Sequence, residues 1–182
     1  MKIKYQAGLI KSEENMKSIY LVGFMGCGKT TVGKILAKAL NRQFIDLDEK
    51  IVSHTGKSIP TIFEESGENG FRKIESEVLK KELSKNSIIS TGGGIVTRPE
   101  NMVFMKQNGI VFYLESTIET LYNRIHQDPN RPNAVNRSIE ELNTLFISRK
   151  SLYEKADITI SDTEKSPKDV SVEIINCLNS LR

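Results

Sequence analysis

Gly23-Phe24-Met25-Gly26-Cys27-Gly28-Lys29-Thr30 decides how the rest of this 182-residue chain is read. The spacing is G-x-x-x-x-G-K-[ST], that of a phosphate-binding loop (P-loop). Glycines let backbone N–H groups curl around phosphate oxygens, and the loop feeds a helix whose N-terminus favours anions. Lys29 supplies a point charge to β- and γ-phosphates, and the Thr30 hydroxyl can ligate Mg2+. The flanks meet the structural requirement. Ile19–Gly23 reads as a buried strand ending in a glycine turn. Thr30–Leu40 sets Val32, Ile35, Leu36, Ala39 and Leu40 on one helical face. Gly26 and Gly28 do not extend into G-x-G-x-x-G, because Thr31 holds the last position, so a dinucleotide fold is disfavoured. A nearby lysine and a helix N-terminus are features that lower a thiol's pKa. The expected role of Cys27 is nonetheless that of a small residue that fits the loop.

Outward from the loop, apolar runs alternate with amphipathic segments. Strands are expected at Phe44–Leu47, Ser87–Ser90, Ile110–Leu114 and Asp157–Ile160. Helices are expected at Ile59–Ser66 and Glu68–Leu83, parted by Gly67. Others run from Pro99 to near Gly109, Thr117 to Gln127, Ser138 to about Lys155, and Val170 to Leu181. Asp128-Pro-Asn-Arg-Pro-Asn133 carries two prolines and reads as a mobile loop. Such alternation implies an α/β fold with a parallel sheet covered on both faces, and ligands bound outside the carboxyl ends of its strands.

Composition sets the outer limits. With 38% hydrophobic and 27% charged residues, the chain can build one domain with a substantial core. Its net charge of +3 is not gathered into a run, so nucleic-acid binding is not read from it. Cys27 and Cys177 form no CxxC pair and no ligand spacing with His54 and His126. A reducing compartment, the cytoplasm, is therefore expected. No apolar run reaches the length of a membrane span, so no membrane association is expected. Residues 1–17 lack an apolar h-region and read as an N-terminal extension, with Met16 an alternative start.

Three further clusters carry chemistry. Asp46-Leu47-Asp48 closes the second strand, where alternate residues share a face, so both carboxylates are expected to point into one cleft. One can hold magnesium, directly or through water; the other can orient an attacking hydroxyl or accept its proton. The plainer use of Asp48 is to cap a helix beginning near Glu49. Thr91-Gly92-Gly93-Gly94 permits close backbone approach; its plainer use is a flexible connection. Arg72, Arg131 and Arg149 are fork-shaped donors for carboxylates and phosphates. Arg131 could close over a transferring phosphate.

Together these motifs resemble the shikimate kinase family. The match runs from about Lys17 to Asp157, in the expected order. It takes in Gly23–Thr31, Phe44–Asp48, Ser58–Phe63, Gly67-Glu68, Phe71-Arg72 with Glu75, Gly92–Gly94, Arg131-Pro132, Arg149 with Tyr153, and Ala156-Asp157. The resemblance implies ATP-dependent phosphorylation of the shikimate 3-hydroxyl, in chorismate and aromatic amino-acid biosynthesis. It implies a three-layer, nucleoside-monophosphate-kinase-like fold with strand order 2-3-1-4-5, a substrate-binding region near residues 47–75 and a lid near 128–138. Gly26, Cys27, Gly28, Lys29, Thr30, Thr31, Arg124 and Arg131 would hold ATP, with Arg124 against the adenine. Asp48, Arg72, Gly92, Gly93, Gly94 and Arg149 would hold shikimate, the two arginines on its carboxylate and Asp48 on its ring hydroxyls. Lys29, Asp48 and Arg131 would be catalytic. Thr30 would bind Mg2+, with Asp46 in its outer sphere. Phe63 and Phe71 would wall the substrate region, and a monomer is expected.

The sequence departs from the family pattern at Asn133-Ala134-Val135, where a leucine-rich stretch is expected, and in residues 1–17. The alternative is another small-metabolite kinase, such as a gluconate kinase-like enzyme, which shares the P-loop but needs no arginines matched to a ring carboxylate. A guanine-reading N-K-x-D motif, which a nucleotide switch would use, does not occur.

Overall fold

A computed structural model describes residues 17–83, 86–126, 138–162 and 165–181. The 1–16 part of the extension, Arg131, and nearly all of the expected lid lie outside the described residues. Five parallel strands form one sheet: β1 (Ser18–Val22), β2 (Gln43–Asp46), β3 (Ser87–Ser90), β4 (Gly109–Glu115) and β5 (Ile158–Ser161). Their order is β2-β3-β1-β4-β5, as the resemblance implies. The helices are α1 (Lys29–Leu40), α2 (Leu47–Thr55), α3 (Ile59–Lys81), α4 (Pro99–Asn108), α5 (Ile118–His126), α6 (Ile139–Tyr153) and α7 (Pro167–Ser180).

A parallel sheet covered on both faces demands apolar residues on both sides of its central strands. β1 meets that demand, being buried at all five positions. β4 buries Val111 to Leu114 beside it. α1 turns Val32, Gly33, Leu36 and Ala37 inward. Ala39, expected on that face, is exposed. Gly33 is inward because Phe44 leaves it no room: a Cβ there would lie 2.5 Å from the Phe44 ring.

Local signals set the helix ends. Ser138 and Ser166 cap α6 and α7, each accepting from the backbone N–H three residues on, while Glu141 and Asp169 reach back to the serine N–H. Such reciprocal capping satisfies two otherwise orphan donors. The Ser166 cap starts α7 three residues before the expected Val170. Gly67 breaks α3 as expected, with φ 62° and ψ −176°. That is a left-handed φ, which glycine adopts at little cost.

One expectation needs correction. β2 ends at Asp46 and α2 begins at Leu47, so Asp48 stands in the first turn of a helix and not on a strand. The cap is Asp46, whose Oδ1 accepts from the Asp48 N–H at 3.1 Å.

Candidate active site

Every chemistry-bearing cluster that is described lies at the carboxyl edge of the sheet. A cleft of about 370 Å³ opens there. It is lined by Met25–Val32, by Asp46, Asp48 and Ser90–Gly93, and by Arg124, Asp162, Lys165, Pro167 and Val170.

The P-loop follows β1. Gly26 (φ 82°) and Gly28 (φ 87°) hold left-handed backbone conformations that side chains disfavour. Lys29 is folded back into the loop: its Nζ donates to the carbonyls of Gly23 (2.8 Å) and Phe24 (3.0 Å). The Cys27 Sγ is 3.5 Å from the same ammonium. Cys27 is buried, and a Cβ on Gly23 would come within 2.8 Å of its sulfur. This packing leaves room for a small residue at position 27. Beyond the loop, Thr30 Oγ1 donates to Asp46 Oδ2 at 2.9 Å and lies 3.3 Å from Ser90 Oγ. Three hard oxygen donors thus meet at the first turn of α1, a set that suits Mg2+ held partly through water.

Ser90 escaped the sequence reading. Its only cue was its place at the end of a strand, two residues before the glycines. What brings it to Asp46 is the parallel pairing of β2 with β3, in which Asp46 stands opposite Ser90.

The glycine turn after β3 is a packing junction. Thr91 anchors it, donating through Oγ1 and N–H to the Leu21 carbonyl of β1. A Cβ on Gly92 would lie 2.5 Å from Glu75 Oε1 and 3.2 Å from Asp48 Oδ1. On Gly93 it would lie 3.1 Å from the Met25 N of the P-loop, and on Gly94 2.0 Å from an Arg72 nitrogen. The three glycines therefore touch, in turn, the carboxylates, the phosphate loop and the guanidinium. None of the three has a left-handed φ. Close approach is what requires glycine here, so the flexible-connection reading is set aside.

Arg72 is fixed from several sides. Its Nη1 donates to Glu75 Oε2 at 2.7 Å, and its guanidinium sits 5.0 Å from the Phe71 ring centroid. Phe71 stacks on Phe63 at 4.6 Å, so the two aromatics back the arginine. Glu75 is fully buried on α3. Burial raises its carboxyl above the usual 4.5; the Arg72 charge and hydrogen bond pull the other way, and Asp48 adds to the rise. Arg149, on α6, points Nη1 at the Gly93 carbonyl, 3.5 Å away, and the Tyr153 hydroxyl donates to that same carbonyl. Tyr153 stacks on Tyr113 at 5.2 Å, and burial pushes both phenols up. At the opposite end of the cleft, Arg124 Nη1 donates to Asp162 Oδ2 at 2.5 Å. Asp162 follows β5 and is not singled out from sequence; an acidic residue two places past the expected strand end is its only signal.

The structure thus brings together Lys29, Thr30, Asp46, Asp48, Gly92 and Gly93 around one cleft. Arg72, Gly94 and Arg149 stand just beyond, joined to it through Glu75 and Gly93. Residues 25–179 match the family model described as shikimate kinase. A shikimate kinase of Enterococcus faecalis is 48% identical over 167 residues, covering 90% of this chain and 99% of the relative. A solved structure, a shikimate kinase from Acinetobacter baumannii in complex with shikimate, superposes with a TM-score of 0.84 at 40% identity, covering 93% of this chain and 96% of that one. A gluconokinase from Sinorhizobium meliloti reaches a TM-score of 0.62 at 14% identity over 91% of this chain and 93% of its own, a likeness of fold alone. Motif order, strand order and the relatives all agree: the chain belongs to the shikimate kinase family.

Proposed function

We propose that this member of the family transfers the γ-phosphoryl group of ATP to the 3-hydroxyl of shikimate. One observation carries the assignment of roles. The Gly92–Gly94 turn packs on the P-loop at Met25 and on the guanidinium of Arg72, which supports a phosphate site and a carboxylate site that share one junction. Phosphoryl transfer needs positioning and charge neutralisation more than covalent help from the protein.

The P-loop amides of Gly26–Thr31 cradle the phosphates. Lys29 exchanges its two carbonyl contacts for phosphate oxygens, and Arg124 lies against the adenine. Arg72 and Arg149 take the shikimate carboxylate, and the Gly92–Gly94 turn takes the ring. Asp48 faces the ring hydroxyls, orients the 3-hydroxyl and accepts its proton as the hydroxyl oxygen bonds to the γ-phosphorus and the bond from that phosphorus to ADP breaks. Arg131, outside the described residues, neutralises charge on the transferring group. Thr30 and Ser90, with Asp46 through water, would hold Mg2+. The ion would supply positive charge to offset that of the terminal phosphates. Residues 47–75 act as the substrate-binding region and 128–138 as the lid, excluding water on closure.

A cytoplasmic monomer is part of the same proposal. The state of both cysteines supports a reducing compartment. Cys27 and Cys177 are both free thiols, and no helix among the described residues is long and apolar enough to cross a membrane. The direct test of the reaction is ADP release with Mg–ATP and a panel of hydroxy acids. Shikimate alone should give substantial turnover; faster turnover with gluconate would refute the assignment.

A further inference from the structure

The pair Gly67-Glu68 has no part in the scheme above. Gly67 interrupts α3, and Glu68 is the residue that restarts it. Glu68 Oε1 lies 3.4 Å from Arg72 Nη2 and 3.7 Å from Arg149 Nη2. One carboxylate oxygen therefore stands between two guanidinium groups that come from different helices, α3 and α6. Both arginine side chains are about nine-tenths buried, at 11% and 10% exposure, whereas that of Glu68 is 60% exposed. Two poorly hydrated cations that face one another repel unless an anion lies between them. Glu75 compensates Arg72 from the buried side. Glu68 is the anion on the open side.

We propose that Glu68 is a specificity-determining placeholder: its carboxylate holds Arg72 and Arg149 converged until the carboxylate of shikimate displaces it. The inference rests on the reading that these two arginines receive the substrate carboxylate. Exposed ion pairs are weak, so Glu68 yields readily to a ligand that brings a carboxylate of its own. A neutral analogue brings nothing to replace it, leaves Glu68 in place and gains nothing from the arginines. The gate thus selects for an acid on the ring, the feature that separates shikimate from uncharged polyols. It needs no backbone motion, because Glu68 begins a helical segment and its side chain faces solvent.

The test is calorimetric titration of the full chain with shikimate and with its methyl ester. In Glu68→Gln the competitor's charge is gone. Its Kd for shikimate should fall about three- to tenfold, the scale of one or two exposed ion pairs, while Kd for the ester moves less than about twofold. In steady-state assays the change should appear in KM for shikimate and not in KM for ATP. An unchanged or raised Kd for shikimate overturns the proposal, because Glu68 would then be inert or would help binding. An equal gain for acid and ester overturns it too, since relief of competition cannot favour a neutral ligand. Glu68→Ala gives the same comparison should the glutamine variant fail to fold. Arg72→Lys separates this proposal from the reading beneath it. A raised Kd for shikimate in that variant keeps the carboxylate site at Arg72, whatever Glu68 does. An unmoved Kd there sends the carboxylate elsewhere, and the reading fails with it.

Discussion

On the proposed assignment, the two ends of the active site are built on opposite plans. The loop at the phosphate end is local. Lys29 bonds to carbonyls five and six residues away, and the loop from Gly23 to Thr30 supplies its own curvature through left-handed glycines. The substrate end is assembled from distant parts. Asp48 comes from α2, Arg72 and Glu75 from α3, Gly92–Gly94 from the turn after β3, and Arg149 and Tyr153 from α6. A contiguous motif can bind a chemical group that many proteins share. Recognition of one particular ring needs donors and acceptors around it, and a short stretch of chain cannot surround a ligand. On that assignment the phosphate end is generic and the substrate end specific.

The largest expected effects fall where the two ends meet. Asp48→Asn should keep the helix turn and lose the base. Its kcat should fall roughly 10²- to 10⁴-fold with Kd for ATP nearly constant, read by steady-state kinetics and nucleotide titration. A mild effect on kcat would mean that Asp48 only orients. Arg131→Ala should cost about 10³-fold or more in kcat, as removal of a phosphoryl-stabilising arginine does.

Glycine substitutions sharpen the contrast, because the two ends use the residue for different reasons. A Cβ on Gly28 meets nothing within 4 Å, but φ there is 87°. Gly28→Ala should thus lose about 1–2 kcal/mol of stability through backbone strain, seen in denaturant midpoints. Gly94→Ala has no left-handed φ to oppose it, yet its Cβ would sit 2.0 Å from an Arg72 nitrogen. It should lower kcat/KM for shikimate by up to about 10²-fold by pushing the guanidinium aside, with KM for ATP little moved. Equal damage to both substrates in Gly94→Ala would erase the division between the ends.

The smallest effect concerns pH. Burial raises the Glu75 carboxyl above its ordinary 4.5, so folded Glu75 keeps a proton over a window in which unfolded Glu75 has lost it. The folded state then binds more protons, and its stability falls as pH rises through that window. Relative to Glu75→Gln, the wild type should be favoured below 4.5 and lose that advantage as pH rises through the folded value. Paired urea titrations across that range measure it. A difference that grows with pH would mean that the Arg72 ion pair outweighs burial.

Much of this was legible in the one-dimensional pattern. The P-loop and its flanking strand and helix, the break at Gly67, and the alternation that makes a parallel sheet all follow from short-range rules. Asp48 shows where such rules mislead. Its place in the cleft was foreseen through a strand that in fact ends at Asp46. The α2 N-cap is decided within two residues, and a short strand running straight into a helix leaves no sequence gap to mark the change. Ser90 shows what short-range rules omit. It reaches the Thr30–Asp46 pair only through the register of β2 on β3.

The sequence by itself determined that this chain folds around a nucleotide-phosphate loop, because that loop's conformation is written in eight consecutive residues and closes on its own backbone. Order among the motifs also pointed to the family. Only the tertiary structure decided how Gly92, Gly93 and Gly94 divide their contacts, and that Glu68 lies between Arg72 and Arg149. The physical reason is distance along the chain. Arg149 lies 81 residues beyond Glu68 (149 − 68), and only packing of α6 near the glycine turn brings them within reach. Backbone hydrogen bonds and turn preferences act over a few residues, whereas charge placement in a cleft depends on how whole elements pack.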